Sequence, residues 1–168
     1  TKSLTICGVG GQGIILASEI ISHALFHSGY DVKKNEIHGM SQRGGSVVSM
    51  IRFGEKVYSP MIESGTADML LAFEQLEALR NIQQLSEDGV ALISNTKTDP
   101  VPVSLGAMEY PANSEDILKK HSKKLYLLDI LPIAKEVGNV KAANVIMIGA
   151  LSNFIPNVDD AKWEDAIR

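Results

Sequence analysis

Residues Thr5 to Ile21 read TICGVGGQGIILASEII, an apolar run that meets four closely set glycines and passes at once into an apolar helical pattern. Leu4 to Cys7 has the length and composition of a buried strand end, and Ile14, Ala17, Ile21, Ala24 and Leu25 recur at the spacing of one helix face. Gly8, Gly10 and Gly13 form Gly-x-Gly-x-x-Gly, with Gly11 and Gln12 inside the loop. Strand, glycine turn and helix in direct succession commit the chain to an α/β architecture, because such a unit buries itself only as one layer of a sheet covered by helices.

The rest of the chain repeats that alternation. Gly29 suits the end of the first helix, and YDVKKNEI (30–37) reads as a polar strand. SVVSMIRF (Ser46–Phe53) and KVYS (Lys56–Ser59) are β-rich and separated by Gly54-Glu55, which predicts a hairpin closed by Pro60. ADMLLAF (Ala67–Phe73) predicts a buried strand; Leu76, Leu79, Ile82 and Gln83 continue at helical spacing as far as Gly89. VALISN and KLYLLDI predict two more strands. Helices are expected from Asn113 or Ser114 to Lys120, after Pro132 to Gly138, from Asn144 to Phe154, and in the closing DDAKWEDAIR. The expected fold is a three-layer Rossmann-like sandwich with a mostly parallel sheet and an inserted β-hairpin, in a single domain over residues 1–168. A net charge of −4 with no basic stripe disfavours nucleic acid, and the apolar runs are too short to span a bilayer. The one cysteine, Cys7, excludes an internal disulfide and a cysteine-ligated cluster within this chain, and a reducing, cytoplasmic setting is expected.

Two glycine-rich loops carry the chemistry. In the first, glycine lets backbone N–H groups turn toward an anion at a helix N-terminus. A dinucleotide would also want an acid about 20 residues on, where Asp31 and Glu36 stand. A purely structural turn, another anion or a partner surface satisfies the same pattern. In the second loop, HGMSQRGGS (His38–Ser46), Arg43 precedes two small residues, Gly44 and Gly45. That places a cation under little steric cover, suited to a carboxylate or phosphate, while Ser41 and Gln42 add hydroxyl and amide groups. Loops at the carboxyl ends of neighbouring strands converge, so both segments can contribute to one site.

Other polar residues have plainer readings. His23 and His27 have metal-compatible helical spacing but no evident third ligand, and His38 adjoins the arginine loop. Cys7 is expected to be packing, LKKHSKKL (Leu118–Leu125) a solvated face that could attract an acidic partner, and Asn144 a helix cap.

Taken together, GVGGQGIILASEII, NEIHGMSQRGGSVVSMIRFG, ADMLLAFEQLEALR and AANVIMIGAL resemble the beta-subunit family of indolepyruvate ferredoxin oxidoreductase. More distantly they are similar to the gamma subunits or domains of pyruvate and other 2-oxoacid ferredoxin oxidoreductases. The resemblance spans nearly the whole chain and matches both loops, at Gly8, Gly10, Gly11, Gln12 and Gly13 and at Ser41, Gln42, Arg43, Gly44 and Gly45; the C-terminus is shorter than usual. It implies a subunit of an enzyme that oxidatively decarboxylates an aryl pyruvate, transfers the acyl group to coenzyme A and passes electrons to ferredoxin. Thiamine diphosphate with magnesium and the iron-sulfur clusters would then belong to a larger partner subunit, this chain binding no cofactor alone. Because two anion-suited loops stand in a chain without redox or nucleophilic equipment, Arg43 and the amides near Gly11 to Gly13 are expected to receive a coenzyme A phosphate or substrate carboxylate, and self-pairing of the isolated chain is left open. A free-standing NAD(P)-binding oxidoreductase and a purely structural interaction subunit are the competing readings.

Overall fold

A computed structural model describes residues 1–39, 44–139 and 142–168. The chain runs β1 (Lys2–Val9), α1 (Ile14–His27), β2 (Asp31–His38), β3 (Ser46–Gly54), β4 (Ala67–Ala72), α2 (Gln75–Asn81) and β5 (Leu85–Ser94). It continues with α3 (Val101–Ser104), α4 (Ser114–His121), β6 (Lys124–Leu128), α5 (Ile130–Glu136), α6 (Ala143–Ser152) and α7 (Asp160–Ile167). The six strands form one sheet in the order β2-β3-β1-β4-β5-β6. β1, β4, β5 and β6 pair in parallel, while β1 and β2 both pair antiparallel with β3. β3 therefore opposes all the other strands, and β1, β2, β4, β5 and β6 point their carboxyl ends at one edge.

Strand periodicity sorts the core into two faces. Leu4, Ile6, Met69 and Leu71 pack with α1, α6 and α7 in one cluster. Cys7, Leu70, Ala72, Ala91 and Ile93 pack with Ala78 of α2 and Leu118 of α4 in the other. From Met69 to Phe73 the ADMLLAF segment is continuously apolar because β4 is covered on both sides, while Asp68 at its start pairs with Lys2. The face of α1 expected from its spacing is the one that is buried, with Ala17, Ile21, Ala24 and Leu25 at zero exposure. Burying Ile21 alone contributes about 1.5–3 kcal/mol.

The hairpin differs from the sequence expectation. Lys56–Ser59 forms no strand; β3 instead pairs with β2 from Asp31–Gly54 to His38–Val47, so the hairpin closes across the second glycine loop. The reason is local. The Asp31 carboxylate accepts the Val57 amide at 2.9 Å and Arg52 reaches the Ser59 and Met61 carbonyls at 3.3 Å, which pins the segment after β3 away from the ladder. The helix expected to reach Gly89 stops at Asn81, with a 3-10 turn over Ile82–Gln84, and β5 begins at Leu85. Asn81 marks the stop by donating its side-chain amide back to Glu77 O at 2.9 Å. α5 starts two residues before Pro132. Asn144 lies inside α6 rather than capping it, and its Oδ1 accepts the adjacent Val145 amide.

Candidate functional site at the carboxyl edge

The first glycine loop is braced from within. Gln12 donates its backbone N–H to Val9 O at 3.1 Å, and its side-chain Oε1 accepts the Val9 amide at 2.8 Å. Gln12, grouped by sequence with the anion-binding residues, thus uses its carbonyl oxygen to close the turn. The glycines have separate reasons. A Cβ on Gly8 would lie 2.5 Å from Ile14 Cδ1 and 3.0 Å from Phe73 Cβ, so the strand end is packed against helix and sheet. Gly13 has φ of +81° and a Cβ there would lie 2.7 Å from Asn144 Nδ2. Gly11, at φ +99°, faces open space. At Gly11 the glycine is required by backbone conformation alone, with room left for something to approach, and the same holds at Gly44 of the second loop, at φ +74°.

The two loops meet. Gly10 N–H donates to Gly45 O at 2.8 Å, and Gly44 N–H reaches Gly10 O at 3.5 Å, extending the β1–β3 ladder one step past Val9–Ser46. Ser41, Gln42 and Arg43 lie outside the described residues; Gly44 and Gly45 bring their segment to the first loop. Beside this junction is a cleft of about 460 Å³, lined by the backbone of Gly10, Gly11 and Gly13, an apolar wall from Ile15, Leu16 and Val47, and His38. Helix α1 opens at Gly13 with no side-chain cap and no acidic residue in its first turn. Its first amides have no intrahelical acceptors, and the helix dipole favours negative charge there. Backbone donors beside an apolar wall suit a ligand that carries an anionic group on a less polar body.

The opposite face of the same edge is closed by a buried polar network at the start of α2, where sequence periodicity marks only Leu76, Leu79, Ile82 and Gln83 at helical spacing. Glu74 is fully buried and accepts Glu77 N–H at 2.8 Å, Thr98 N–H at 3.0 Å and Tyr110 O–H at 2.5 Å. It caps α2 and ties down the segment after β5 at once. Burial and the Glu74 carboxylate push the Tyr110 phenol well above its ordinary range, so it stays a donor. Gln75 donates to Asn95 Oδ1 at 2.5 Å and accepts from Ser114 Oγ at 2.6 Å. Glu77, 2% exposed, accepts Ser46 O–H at 2.5 Å and pairs with Arg80 at 2.6 Å. Ser46 is the residue that follows Gly44-Gly45, so Glu77 anchors the root of the second glycine loop to α2. The legible signal was Glu74, Gln75 and Glu77 set directly behind a buried strand, with Glu74 and Glu77 at the spacing of a helix cap and its third residue.

Of the two acids a dinucleotide site would call on, Asp31 is remote from the cleft, while Glu36 stands two residues before His38 and is bonded to Ser18 and Lys34. β3 separates β2 from β1, and Asp31 opens β2 whereas the cleft is at its far end, about 23 Å away at strand rise. Hydrogen bonding to Lys33 and to the Val57 amide holds the Asp31 carboxyl down at about 2, as a structural ion-pair partner. Burial opposes ionisation of Glu36, but its bonds with Lys34 and Ser18 outweigh that and lower its pKa. His38 does line the cleft. Cys7 is fully buried, and burial, reinforced by Glu77 and Glu74, pushes its thiol well up, which makes it packing rather than a ligand or nucleophile. Within the lysine-rich segment, Lys119 pairs with Glu115 at 2.5 Å on the exposed face of α4. No helix among the described residues is long and apolar enough to cross a membrane.

A family model described as pyruvate ferredoxin/flavodoxin oxidoreductase matches residues 3–168. The chain belongs to that family. Among its relatives in the pyruvate ferredoxin/flavodoxin oxidoreductase family, the indolepyruvate oxidoreductase subunit IorB of Thermococcus kodakarensis is 43% identical over 155 residues, covering 89% of this chain and 76% of the relative. The same subunit of Pyrococcus horikoshii is 41% identical, with the same coverage. The solved gamma subunit of a keto/oxoacid ferredoxin oxidoreductase from Geobacter sulfurreducens superposes with a TM-score of 0.70 at 25% identity, over 99% of this chain and 85% of that one.

Proposed function

We propose that this chain is the thiamine-free subunit of a 2-oxoacid ferredoxin oxidoreductase that acts on indolepyruvate or a related aryl pyruvate, with residues 1–168 serving as one gamma-type domain in a cytoplasmic complex. The complex decarboxylates the 2-oxoacid, transfers the acyl group to coenzyme A and reduces ferredoxin. The observation that carries the site is the Gly10–Gly45 hydrogen bond, which joins the two glycine loops at the mouth of the cleft. Its residues fit coenzyme A in chemical terms. The first amides of α1, which follow Gly13 and have no intrahelical acceptors, suit a phosphate or carboxylate, and Ile15, Leu16 and Val47 suit an apolar chain. Arg43, Ser41 and Gln42 give the second loop a cation, a hydroxyl and an amide, groups that suit the same anion.

The residues do not fit a cluster or thiamine diphosphate. The lone thiol is sealed in the core, and the acids behind the cleft, Glu74 and Glu77, are already engaged by amides, hydroxyls and Arg80. Those groups belong to a larger partner chain, with magnesium alongside the diphosphate. What this chain does is orient: the fixed rim holds the anionic end of the incoming molecule at the partner's active centre and helps exclude water there.

Arg43→Ala in the assembled complex is expected to raise KM for coenzyme A about tenfold, as expected for loss of one charge-assisted bond. Unchanged turnover and coenzyme A affinity in a normally assembled variant sinks the assignment. Lost assembly with normal turnover of whatever assembles would instead make the chain a purely structural subunit.

A further inference from the structure

His23 and His27 take no part in the glycine-loop site. They lie one turn apart on the exposed face of α1, about 15 Å along the helix from Gly13 at its lower end. Their Nε2 atoms are 3.0 Å apart and their ring centroids 4.2 Å apart. Phe26 meets the His27 ring edge-on at 5.5 Å. Two imidazole nitrogens at this separation share one hydrogen, one ring donating and the other accepting, so both cannot be protonated there.

The same geometry presents two lone pairs to one ion when the donating ring moves its proton to Nδ1, a tautomer change with no net proton release. With metal–nitrogen bonds of about 2.0–2.1 Å, nitrogens 3.0 Å apart subtend about 90–97° at the metal. That is the cis angle of a tetragonal or octahedral sphere, the preference of Cu(II) and Ni(II). A tetrahedral zinc ion would need the nitrogens at about 3.3–3.4 Å. The helix beneath is rigid, since Ala24 and Leu25 between the two histidines are fully buried. Among the described residues no group of three or more His, Cys, Asp or Glu side chains is placed to hold a metal, so this chain supplies two ligands and leaves the other positions to water or a second molecule.

We propose that His23 and His27 form a bidentate surface site for a divalent first-row ion of tetragonal preference, Cu(II) or Ni(II). The test is titration of the full chain with copper(II) or nickel(II) chloride, followed by calorimetry and, for copper, electron paramagnetic resonance. One ion per chain is expected, with nitrogen hyperfine structure from two imidazoles. His23→Asn and His27→Asn should each weaken binding about tenfold or more, because the second imidazole acts as an intramolecular ligand. His121→Asn, whose ring bonds Ile117 O on α4, serves as the control and should change nothing. Far-UV circular dichroism of the double variant checks that α1 is intact. Absence of binding at about 0.1 mM free ion, tenfold below a millimolar dissociation constant, overturns the proposal. So does equal binding by a folded double variant.

Discussion

The two faces of the sheet's carboxyl edge are built in opposite ways. On the α1 side, order comes from backbone: glycines, a carbonyl brace from Gln12 and one inter-loop hydrogen bond leave donors and a cleft open. On the α2 side, order comes from buried side chains whose polar atoms are satisfied by one another. An open rim beside a closed brace lets one loop pair stay accessible without being loose, since Ser46 and Glu77 connect the two. The contrast teaches where to look for function: the satisfied network stabilises, and the proposed ligand site is the open cleft beside the start of α1.

The largest effect expected from this contrast is on the closed side. Glu74→Ala strands two amides and a phenol that are wholly or partly buried, and should cost about 3–4 kcal/mol, read as a fall in urea midpoint at unchanged m-value. A loss under about 1 kcal/mol would show that the network does not hold the segment after β5. On the open side the cost should depend on which glycine is touched. Gly13→Ala combines a left-handed φ with the Asn144 contact and should cost about 2–3 kcal/mol; Gly11→Ala meets no neighbour and should cost about 1 kcal/mol. Equal losses would mean that Asn144 yields and that the left-handed backbone alone sets the cost at both positions. The smallest effect is the link between the faces. A double-mutant cycle over Ser46→Ala and Glu77→Gln should return a coupling of about 1 kcal/mol, and zero coupling would make the faces independent.

Much of the fold was legible in sequence because its signals are local. The first strand, loop and helix follow from apolar spacing and glycines, and ADMLLAF could only be a strand covered on both sides. The hairpin was misplaced because Gly54-Glu55 has the form of a tight turn, while the real pairing closes over a longer loop. Nothing in KVYS announces that Asp31, far back in the chain, will capture its amide. Of the candidate site, convergence of the two loops was legible from topology, and Gly10, Gly44 and Gly45 bear it out. The brace formed by Gln12 was not, because an amide in a glycine loop serves a ligand or its own backbone equally well. Nor was the Glu74–Glu77 network, since acids near a helix start are common on solvated faces and only packing against β3 and the segment from 95 to 114 buries them.

Sequence by itself determined that alternating strands and helices would form an α/β sandwich, that a glycine turn would open the first helix, and that one cysteine could not carry a cluster. These are consequences of periodicity and of residue chemistry counted along the chain. Only the tertiary structure decided that β3 would separate β2 from β1, that Asp31 would lie far from the cleft, that Glu36 would meet Ser18, and that Ser46 would meet Glu77. Such partners are distant in sequence, 31 residues apart in that last case, and their meeting depends on strand order and pleat rather than on any local pattern.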